Sequence, residues 1–566
     1  VLDLTGNNTN QGGIVISGEG EPDENFTVTL GGVGLTGSVA SARVLDGYMR
    51  MNEGSRVNGD VRNQGYFIID KGSTVEGDFV NTNDAILEIA YAGDGTPRIK
   101  GDLQLGGLND NPSRGNMFST ISTKIGALPL DVGGSIRFVD TATGLVSLRV
   151  SWPDAGYVLQ ARQTIMHAEG GISGEFSKLF FLDGPSPLYT FSQSTLSYDA
   201  NNIYLDIVRT NVVVAAASFS GITPASMASA QRVEDTFDGI DAGGGVSADF
   251  LAGAGRIQSS ANEAVAKASL RSLSGEMHAK ADAMTFDNMD ASRRAVSGRF
   301  DARLGEPSLR GGWSARLDGI GNGSFSSNGW VNGGDLDVGA NRVAGFAFGE
   351  TTSTGHDLAG RDRAQERQSQ AQFYLGHVYG RAYAVGQVGA GRYQRQLRRD
   401  VQLGESHEFV ATDYADSFLT ANMEAGYHFG GVTPYASMDY MRIDRGGFSE
   451  TGGSGFGLKV GAGSAEWVRA IAGLRAGKRW GRVGVHGFAE WQQSLAGNGL
   501  YAQASFVGAD AWSPLYGDGL YASGGLVGIG AEAMLSRRVS WEFGYDQRLG
   551  ARSDERQWTT RLGFGF

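Results

Sequence analysis

The 566-residue chain has no cysteine, only 11 prolines and no long hydrophobic run. The absence of cysteine excludes a disulfide framework and thiolate metal sites. No segment approaches the roughly 20 consecutive apolar residues that a membrane-spanning helix requires. A membrane β-barrel is still open, because each barrel strand shows only an alternating segment of about 10 residues.

The chain also lacks an excess of basic residues, since its net charge is −13. This charge gives no reason to expect nucleic acid as a partner. The opening stretch, VLDLTGNNTN, contains neither Met nor a basic and apolar leader, so we expect the numbering to begin inside a longer precursor. Glycine is abundant at 88 residues without a collagen period, which favours turns and the small sides of many strands.

A five-residue pattern, apolar-x-Gly-polar-apolar, recurs in the first 210 residues. It occupies residues 35–39, 57–61, 75–79, 99–103 and 172–176. Spacings of 18 to 24 between the first four copies suit one coil of a β-helix, whose coils bury apolar residues only by stacking on their neighbours. We predict a right-handed parallel β-helix over residues 1–150 and a β-helix cap over 151–210, with a meander of hairpins as the alternative.

Residues 211–308 are predicted to be a linker that contains one helix. From about Asn211 the strand pattern ends and small residues prevail. Residues 261–300 are rich in Ala and contain no Pro, and Ala is the best helix former. The apolar residues there are mostly small, so we expect a narrow helix in a confined space.

Two kinds of alternation mark the last 260 residues, one in side-chain polarity and one in the length of the connections. Between Trp313 and Phe566, twelve segments alternate apolar with polar or small residues, and short turns alternate with long polar links, among them 394–414. Alternation of short turns with long loops is typical of outer-membrane barrels. We therefore predict a 12-stranded antiparallel transmembrane β-barrel over residues 309–566.

Charged residues of these segments fall opposite the bulky apolar ones. An Arg on the lipid side would cost about 2–4 kcal/mol at the membrane midplane, so a consistent inward set is informative. We expect them to pair with one another and with the helix, an interpretation favoured over acid/base chemistry. The predicted lumen-facing residues are Glu424, Asp439, Arg469, Arg475, Glu490, Glu542, Asp546 and Arg561.

The chain ends on QWTTRLGFGF, a strand pattern with one apolar side. Trp558, Leu562, Phe564 and Phe566 share that side. In a barrel, Phe566 would face lipid at the periplasmic rim, where aromatic residues form a girdle.

A β-helix, a cap, a helix and a twelve-stranded barrel ending in Phe resemble the autotransporters, the type V secretion family of Gram-negative bacteria. VTPYASMDYMRIDRGGFSETG, residues 432–452, is similar to the family's Pro-containing seventh strand, and RLGFGF to its assembly signal. SLSGEMHAKADAM, residues 272–284, resembles the stretch that precedes the barrel in members with subtilisin-like protease passengers.

The resemblance implies a helix inside the barrel, a passenger exported to the cell surface and a cap that helps the passenger fold as an autochaperone. It also implies residence in the bacterial outer membrane and, for the passenger, a link to virulence. The expected partners are outer-membrane lipid, the barrel assembly machinery and periplasmic chaperones, with a monomeric chain, no nucleic acid and no cofactor. Some members cut themselves at paired asparagines on the helix. Here only Asp287-Asn288 lies there and Asn201-Asn202 lies in the cap, which argues against that route.

Two motifs superficially suggest other chemistry. TPASMASAQ, residues 223–231, resembles the serine loop of subtilisins but lacks its flanking Gly-Thr and Pro-His, and no His lies in a matching context. GGSGFGLKVGAG, residues 452–463, has the glycines of a phosphate loop without its Gly-Lys-Ser/Thr ending, so an outer loop is favoured. The seven His show no metal-ligand spacing. We therefore predict no catalytic, cofactor or metal site in this chain.

The sequence favours a translocator that delivers its own β-helix passenger to the cell surface. One alternative is the secretion unit of a surface serine protease whose catalytic domain lies upstream. Another is an adhesin whose β-helix binds host surfaces. A plain porin is disfavoured, because porins lack a long N-terminal β-helix and usually have more strands.

Overall fold

The computed structural model divides into two compact units, Val1–Ala215 with Leu251–Ala266, and Ala216–Phe250 with Lys267–Phe566. The structure describes residues 14–19, 25–28, 32–39, 41–45, 47–90, 95–109, 118–139, 145–152, 156–181, 188–305, 311–319, 325–356, 361–497, 502–516, 523–536, 539–550 and 556–564.

Strands of the first unit form a 16-stranded and a 7-stranded sheet. They are β1 (Ile14–Glu19), β2 (Asn25–Val28), β3 (Gly32–Val39), β4 (Ser41–Val44), β5 (Tyr48–Met51), β6 (Arg56–Val57), β7 (Val61–Asn63), β8 (Tyr66–Ile69), β9 (Thr74–Val75), β10 (Phe79–Asn81), β11 (Ile86–Ile89), β12 (Arg98–Ile99), β13 (Leu103–Gly106), β14 (Phe118–Lys124), β15 (Leu130–Val132), β16 (Ile136–Val139), β17 (Leu145–Ser151), β18 (Ala161–Ala168), β19 (Ile172–Ser173), β20 (Lys178–Phe181), β21 (Leu188–Tyr189), β22 (Ser192–Tyr198) and β23 (Asn202–Arg209).

The apolar residues of the recurring pattern stack directly on one another. Val57 of β6 pairs in parallel with Val75 of β9, which pairs with Ile99 of β12. All three side chains are 0% exposed. A second parallel ladder runs through β7, β10 and β13. Successive coils thus bury their apolar residues against each other, which confirms the predicted β-helix.

The glycine of the pattern is required by the close approach of successive coils. A Cβ on Gly77 would lie 2.6 Å from the carbonyl carbon of Gly59 and 2.3 Å from Oδ1 of Asp60. Directly beside it, the backbone N–H of Asp78 donates to Oδ1 of Asp60 at 2.8 Å. Each Gly-Asp step therefore binds one coil to the next, and a side chain in place of Gly77 would push the coils apart.

Substituting Asp for Val75 should unfold the surrounding coils, because it places an unpaired carboxylate in the buried stack. Limited proteolysis followed by mass spectrometry should then show new cleavage within residues 14–209, while the C-terminal sheet stays protected. Thr74→Asp is the control, because Thr74 has Arg56 and Arg98 as its Cα partners on the neighbouring coils. Loss of protection in the C-terminal sheet of the Val75→Asp protein would contradict independent folding of the two units.

The β-helix ends in antiparallel strands. Parallel pairing continues through β19 and β20, so the last coil lies inside the stretch predicted as a cap. Strand β18 then pairs with β23, β23 with β22 and β22 with β21, all antiparallel. The amide of Asn201, before β23, donates to the carbonyl oxygen of Ala168 at 2.6 Å. These strands cover the end of the stack, as terminal repeats do in stacked folds.

Within the described residues five helices follow, so the linker is more ordered than its composition suggests. They are α1 (Val212–Ala217), α2 (Pro224–Asp241), α3 (Ala248–Gln258), α4 (Glu263–Leu273) and α5 (Glu276–Gly305). Helix α2 begins at the TPASMASAQ motif, where Oγ1 of Thr223 accepts from the N–H of Ser226 at 3.1 Å and Pro224 is the first helical residue. A capping Thr followed by Pro is a helix start that the sequence already contained.

The single helix predicted over 261–300 is wrong in its extent. Helices α4 and α5 are separated at Ser274 and Gly275, and α5 continues to Gly305. Gly275 has a φ of 75°, and a Cβ there would lie 2.5 Å from Cδ1 of Leu458 and 2.7 Å from Cδ1 of Leu515. Both the backbone conformation and the close approach require glycine. No helix among the described residues has the length and hydropathy to cross a bilayer.

Strands of the second unit form a 13-stranded sheet and a 4-stranded sheet. They are β24 (Gly311–Gly319), β25 (Phe325–Gly339), β26 (Arg342–His356), β27 (Arg363–Tyr379), β28 (Ala382–Leu403), β29 (Ser406–Tyr427), β30 (Val432–Arg445), β31 (Phe448–Ser449), β32 (Thr451–Gly452), β33 (Leu458–Val460), β34 (Gly463–Trp480), β35 (Val483–Gly497), β36 (Ala502–Phe506), β37 (Ser513–Leu515), β38 (Gly524–Met534), β39 (Val539–Gly550) and β40 (Arg556–Phe564).

The large sheet has the predicted strand number. Strand β32 pairs with β29 off the main path of the 13-stranded sheet, which leaves twelve strands in the continuous order β24-β25-β26-β27-β28-β29-β30-β34-β35-β38-β39-β40. Neighbours along this path pair antiparallel, as between β27 and β28. The small sheet, ordered β31-β33-β36-β37, comes from two long connections, one of which contains the GGSGFGLKVGAG motif.

One predicted link is wrong. Apart from the turn at residues 404–405, residues 394–414 belong to β28 and β29, which have 22 residues each. Inward and outward side chains continue to alternate along these strands beyond the length needed to cross a membrane. On the inner side, Tyr393, Leu397 and Val401 are at most 2% exposed. Polar outward residues made this hairpin look like a loop.

Large apolar side chains are exposed on the outward face of the large sheet. Phe346, Phe373, Val388 and Leu474 are each about half exposed, at 49%, 53%, 56% and 51%. We call this outward surface the apolar belt. So much exposed apolar surface is unusual for a soluble monomer and is typical of strands that contact lipid.

Candidate functional site

The middle of helix α5 is buried on every side. Each residue from 281 to 293 is buried, although the stretch includes three aspartates and an arginine. The helix contacts each strand from β24 to β30, and ion pairs join it to β34, β35 and β39. Its 30 residues extend about 45 Å, which exceeds the roughly 30 Å thickness of a bilayer core. The large sheet therefore curls around α5, and the space that holds the helix is the candidate site.

The helix is bulkier than its Ala content suggests. Phe286 packs edge-on against Trp467 with ring centroids 5.8 Å apart. A Cβ on Gly376 would lie 2.1 Å from Cε2 of Phe300, and one on Gly355 would lie 2.9 Å from Sδ of Met284. The expectation of a narrow helix is thus corrected, because glycines of the wall make room for large side chains.

Arg395 of β28 connects the wall to the helix. Its Nη1 donates to Oδ1 of Asp282 at 2.6 Å, and its Nη2 donates to Oε2 of Glu366 at 2.6 Å. Nη2 also donates to Oγ1 of Thr285 at 2.7 Å. Arg445 is a second partner of Asp282 at 3.2 Å. A guanidinium that is 0% exposed thus has its charge balanced by two buried carboxylates.

A second network surrounds the middle of α5. Nη2 of Arg469 donates to Oδ2 of Asp439 at 2.9 Å and to Asp290 on the helix. Arg293, also on the helix, donates to Oε2 of Glu490 at 3.1 Å and to Oδ1 of Asp290 at 3.0 Å. Of the residues predicted to face the lumen, Asp439, Arg469 and Glu490 lie together in this network.

Glu424 and Arg475 form the adjoining pair. Nη1 and Nη2 of Arg475 donate to the two carboxylate oxygens of Glu424 at 2.7 and 2.8 Å. The hydroxyl of Tyr383 donates to Oε1 of Glu424 at 2.7 Å. Arg293 of the helix lies 3.9 Å from Glu424, so this pair adjoins the second network.

Glu542 and Asp546 are half-buried and line a cavity of about 540 Å³ beside α5. The cavity is also lined by Arg294 of the helix and Ala315 of β24, so the first and the eleventh strand of the sheet border the same space. Arg561 is the backbone partner of Glu542, but its side chain lies outside the described part of the chain.

Three of the four predicted assembly residues belong to the last described strand. Trp558, Leu562 and Phe564 lie in β40, which pairs antiparallel with β39. Their side chains, and the whole of Phe566, lie outside the described residues.

Sequence reasoning missed the helix half of these networks. Asp282, Asp287 and Arg299 lie on three different sides of α5, a distribution that a surface helix with one buried face would not show. That spread, together with inward charges on the strands, was the available signal. Asp287 accepts from Nη2 of Arg548 at 2.6 Å, and Asn288 donates to Oγ of Ser353 at 2.9 Å.

The long connections cover the N-terminal end of α5. Arg232 of α2 is 0% exposed, and its Nε donates to the carbonyl oxygen of Ala504 at 3.1 Å and its Nη1 to that of Leu273 at 3.2 Å. Burial lowers the pKa of Arg232 to about 9, which still leaves it charged at neutral pH. Glu450 accepts from Nε2 of His278 at 2.8 Å and from Nη2 of Arg399 at 2.6 Å. These contacts hold the 4-stranded sheet over the helix.

The arrangement is suited to holding a helix in a polar channel. The charges of the two networks and of the Glu424–Arg475 pair are joined in ion pairs, and the described residues contain no group of three or more His, Cys, Asp or Glu that could bind a metal ion. Buried pairs of this kind fix the position of α5, because removing either partner leaves an uncompensated charge.

Comparisons with known proteins match the C-terminal part. The sequence model described as Autotransporter beta-domain matches residues 308–546. The translocator domain of autotransporter NalP from Neisseria meningitidis is 16% identical with a TM-score of 0.37, covering 50% of this chain and 98% of that one. The beta domain of the Bordetella autotransporter BrkA is 19% identical with a TM-score of 0.30, covering 45% and 99%. No curated protein sequence matches the chain.

Proposed function

Residues 308–546 belong to the autotransporter beta-domain family, and from this premise we propose that the chain exports its own N-terminal β-helix to the cell surface. The barrel is an outer-membrane translocator unit, and passenger delivery is the general role of such a unit. The finer proposal is that residues 1–150 are the passenger, that 151–210 are its cap and that 211–308 link them to the barrel of 309–566.

The direction of α5 carries this proposal. Its first residue follows Gly275, which packs against Leu458 and Leu515 in the long connections. Near its other end, Nη2 of Arg303 donates to Oδ1 of Asp337 at 2.5 Å, close to the short turn after β25. Long loops lie outside and short turns lie in the periplasm. The chain before α5 is therefore continuous with the outer side of the barrel.

We propose that residues 151–210 act as an autochaperone. Their antiparallel strands β22 and β23 cover the end of the parallel stack, so a coil that emerges next can add to an ordered template. Stacking outside the cell would favour forward movement, since each added coil buries apolar surface. A contribution of the passenger to virulence stays a prediction.

The beta-domain is not itself catalytic, and we propose that the whole chain works without chemistry of its own. Two alternatives concern only what the passenger does: a protease domain could lie upstream of the chain, or residues 1–210 could act as an adhesin. The export route would be the same in both. A purified fragment of residues 1–210 that binds host-cell surfaces would favour the adhesin.

Surface labelling of intact bacteria tests the export proposal. With an epitope inserted at Gly170, in the turn before β19, antibody should bind intact cells that express the full chain. A chain truncated before β40 is the control, because an incomplete barrel should leave the epitope inside the cell. An epitope that stays inaccessible while the full barrel resides in the outer membrane would refute the export proposal.

We also propose that the barrel assembly machinery and periplasmic chaperones act on a monomeric chain. Deleting Phe566 should lower the outer-membrane level of the barrel several-fold and leave the melting temperature of the folded fraction unchanged, because RLGFGF is similar to the family's assembly signal. Outer-membrane fractionation and heat-dependent gel mobility measure the two quantities. Phe409→Ala, which also removes an exposed Phe, is the control. An unchanged level after deletion of Phe566 would contradict the assembly role.

A further inference from the structure

Four arginines lie together on the outward face of β27 and β28. Arg363 and Arg398 are direct Cα partners across the two strands, and Arg392 is the partner of Ser369. Arg367 lies between these two levels on β27. All four side chains are exposed. We call Arg363, Arg367, Arg392 and Arg398 the arginine patch.

The arginine patch begins where the apolar belt ends. Phe373 and Val388 are belt residues and Cα partners, and both are more than half exposed. Arg392 is four residues from Val388 along β28, a distance of about 13 Å. The short turn between β27 and β28, at Gly380, lies at the opposite end of the strands. Because short turns are periplasmic, the patch lies at the outer headgroup level.

The protein balances only part of the positive charge of the patch, because the one other exposed carboxylate that the structure describes beside it, Asp413 of β29, accepts hydrogen bonds from Gln394 and Gln396 between Arg392 and Arg398. Arg363 and Arg398 face each other directly, which is destabilising for like charges. Among the patch residues, Arg367 pairs with Glu350 at 2.9 Å, and within the described ranges the other three have no carboxylate partner. Outward Arg442 on β30 differs, since it pairs with two carboxylates at 2.7 and 2.9 Å. An anion supplied from outside would relieve the repulsion.

Arg398 is already held in a binding geometry. Its Cζ lies 4.1 Å from the centroid of the Phe409 ring, and that ring is 52% exposed. Stacking on an aromatic ring orients the guanidinium plane and leaves its N–H groups free to donate. The guanidinium fork matches the spacing of phosphate oxygens, which makes a phosphate group the complementary anion.

We propose that the arginine patch binds the phosphate groups of the anionic glycolipid in the outer leaflet. Continuity with the apolar belt assigns the ligand to the membrane, because acyl chains against Phe373 and Val388 place the headgroup of the same lipid beside the arginines. The lipid would thus anchor the β27 and β28 side of the barrel at a defined height. This binding is independent of passenger export.

The test compares lipids that differ only in phosphate. The folded full chain in detergent micelles is titrated with diphosphorylated lipid A, with dephosphorylated lipid A and with inorganic phosphate, and bound lipid is counted by native mass spectrometry. We expect binding of the diphosphorylated lipid to weaken about tenfold or more in the triple variant R363Q/R392Q/R398Q, since charge-assisted bonds to phosphate are the strong ones. The dephosphorylated lipid should bind both proteins equally and more weakly.

The control removes the same charge at the opposite rim. R342Q/R381Q/R479Q changes three exposed residues near the short turns and should leave the affinity for diphosphorylated lipid A within twofold of the unmodified chain. Heat-dependent gel mobility checks that both variants are folded.

Equal binding by the patch variant and the unmodified chain, or an equal loss in the control, would overturn the proposal. Displacement of the lipid by equimolar inorganic phosphate would overturn its assignment to a lipid. None of these outcomes depends on export, so failed surface labelling would leave the test intact.

Discussion

A chain that lacks residues 276–305 should conduct ions several times better than the intact chain in a planar lipid bilayer. Helix α5 is buried from residue 281 to 293, and a helix with its side chains is about 10 Å across. With the helix in place, one cavity beside it has a volume of about 540 Å³. Removing the helix joins that cavity to the vacated volume, and the wall charges become solvated by water in place of α5.

Single-channel recording measures this difference. A chain without residues 14–209 retains α5 and should conduct as the intact chain does, which makes it the matched control. If conductance is the same with and without α5, the helix does not obstruct the pore, and the proposed role of the lumen would be wrong.

The parts of the fold that could be predicted from the sequence are those with a short pattern that repeats along the chain. The twelve strands follow from alternation, because one side of each strand faces the outward belt and the other faces a filled interior. The β-helix follows from a glycine-centred pattern whose copies come to lie on each other, as Val57, Val75 and Ile99 do. In both cases a few neighbouring residues contain the information.

The rest depends on distant partners. The break at Gly275 exists because Leu458 and Leu515 approach it from far along the chain. Arg395 and Asp282 are 113 residues apart, and only the helix position and the strand register bring them together. The sequence indicated that Glu424 and Arg469 face inward, but a period of two cannot identify the partner of an inward charge.

Replacing Arg395 with Met should destabilise the barrel more than any other single change proposed for its wall. The substitution leaves Glu366, which is 2% exposed, without its guanidinium partner, and it leaves Asp282 with Arg445 alone. Removing one partner of a buried pair typically costs about 3–5 kcal/mol, because the remaining charge is uncompensated. Guanidinium unfolding of the refolded chain in micelles, followed by heat-dependent gel mobility, measures the change in the free energy of unfolding.

Arg367→Met is a matched control for Arg395→Met. Arg367 lies on β27, the strand next to β28. It also pairs with a glutamate, but its side chain is 68% exposed, so Arg367→Met should cost about 0–1 kcal/mol. Adding Glu366→Gln to Arg395→Met should recover part of the loss, since the second change removes the unpaired charge, and the double-mutant cycle isolates the pair. If Arg395→Met costs no more than Arg367→Met, water must reach the inner pair as freely as the outer one. The lumen around α5 would then be open, and the ion pairs between the helix and the wall could not be what holds the helix in place.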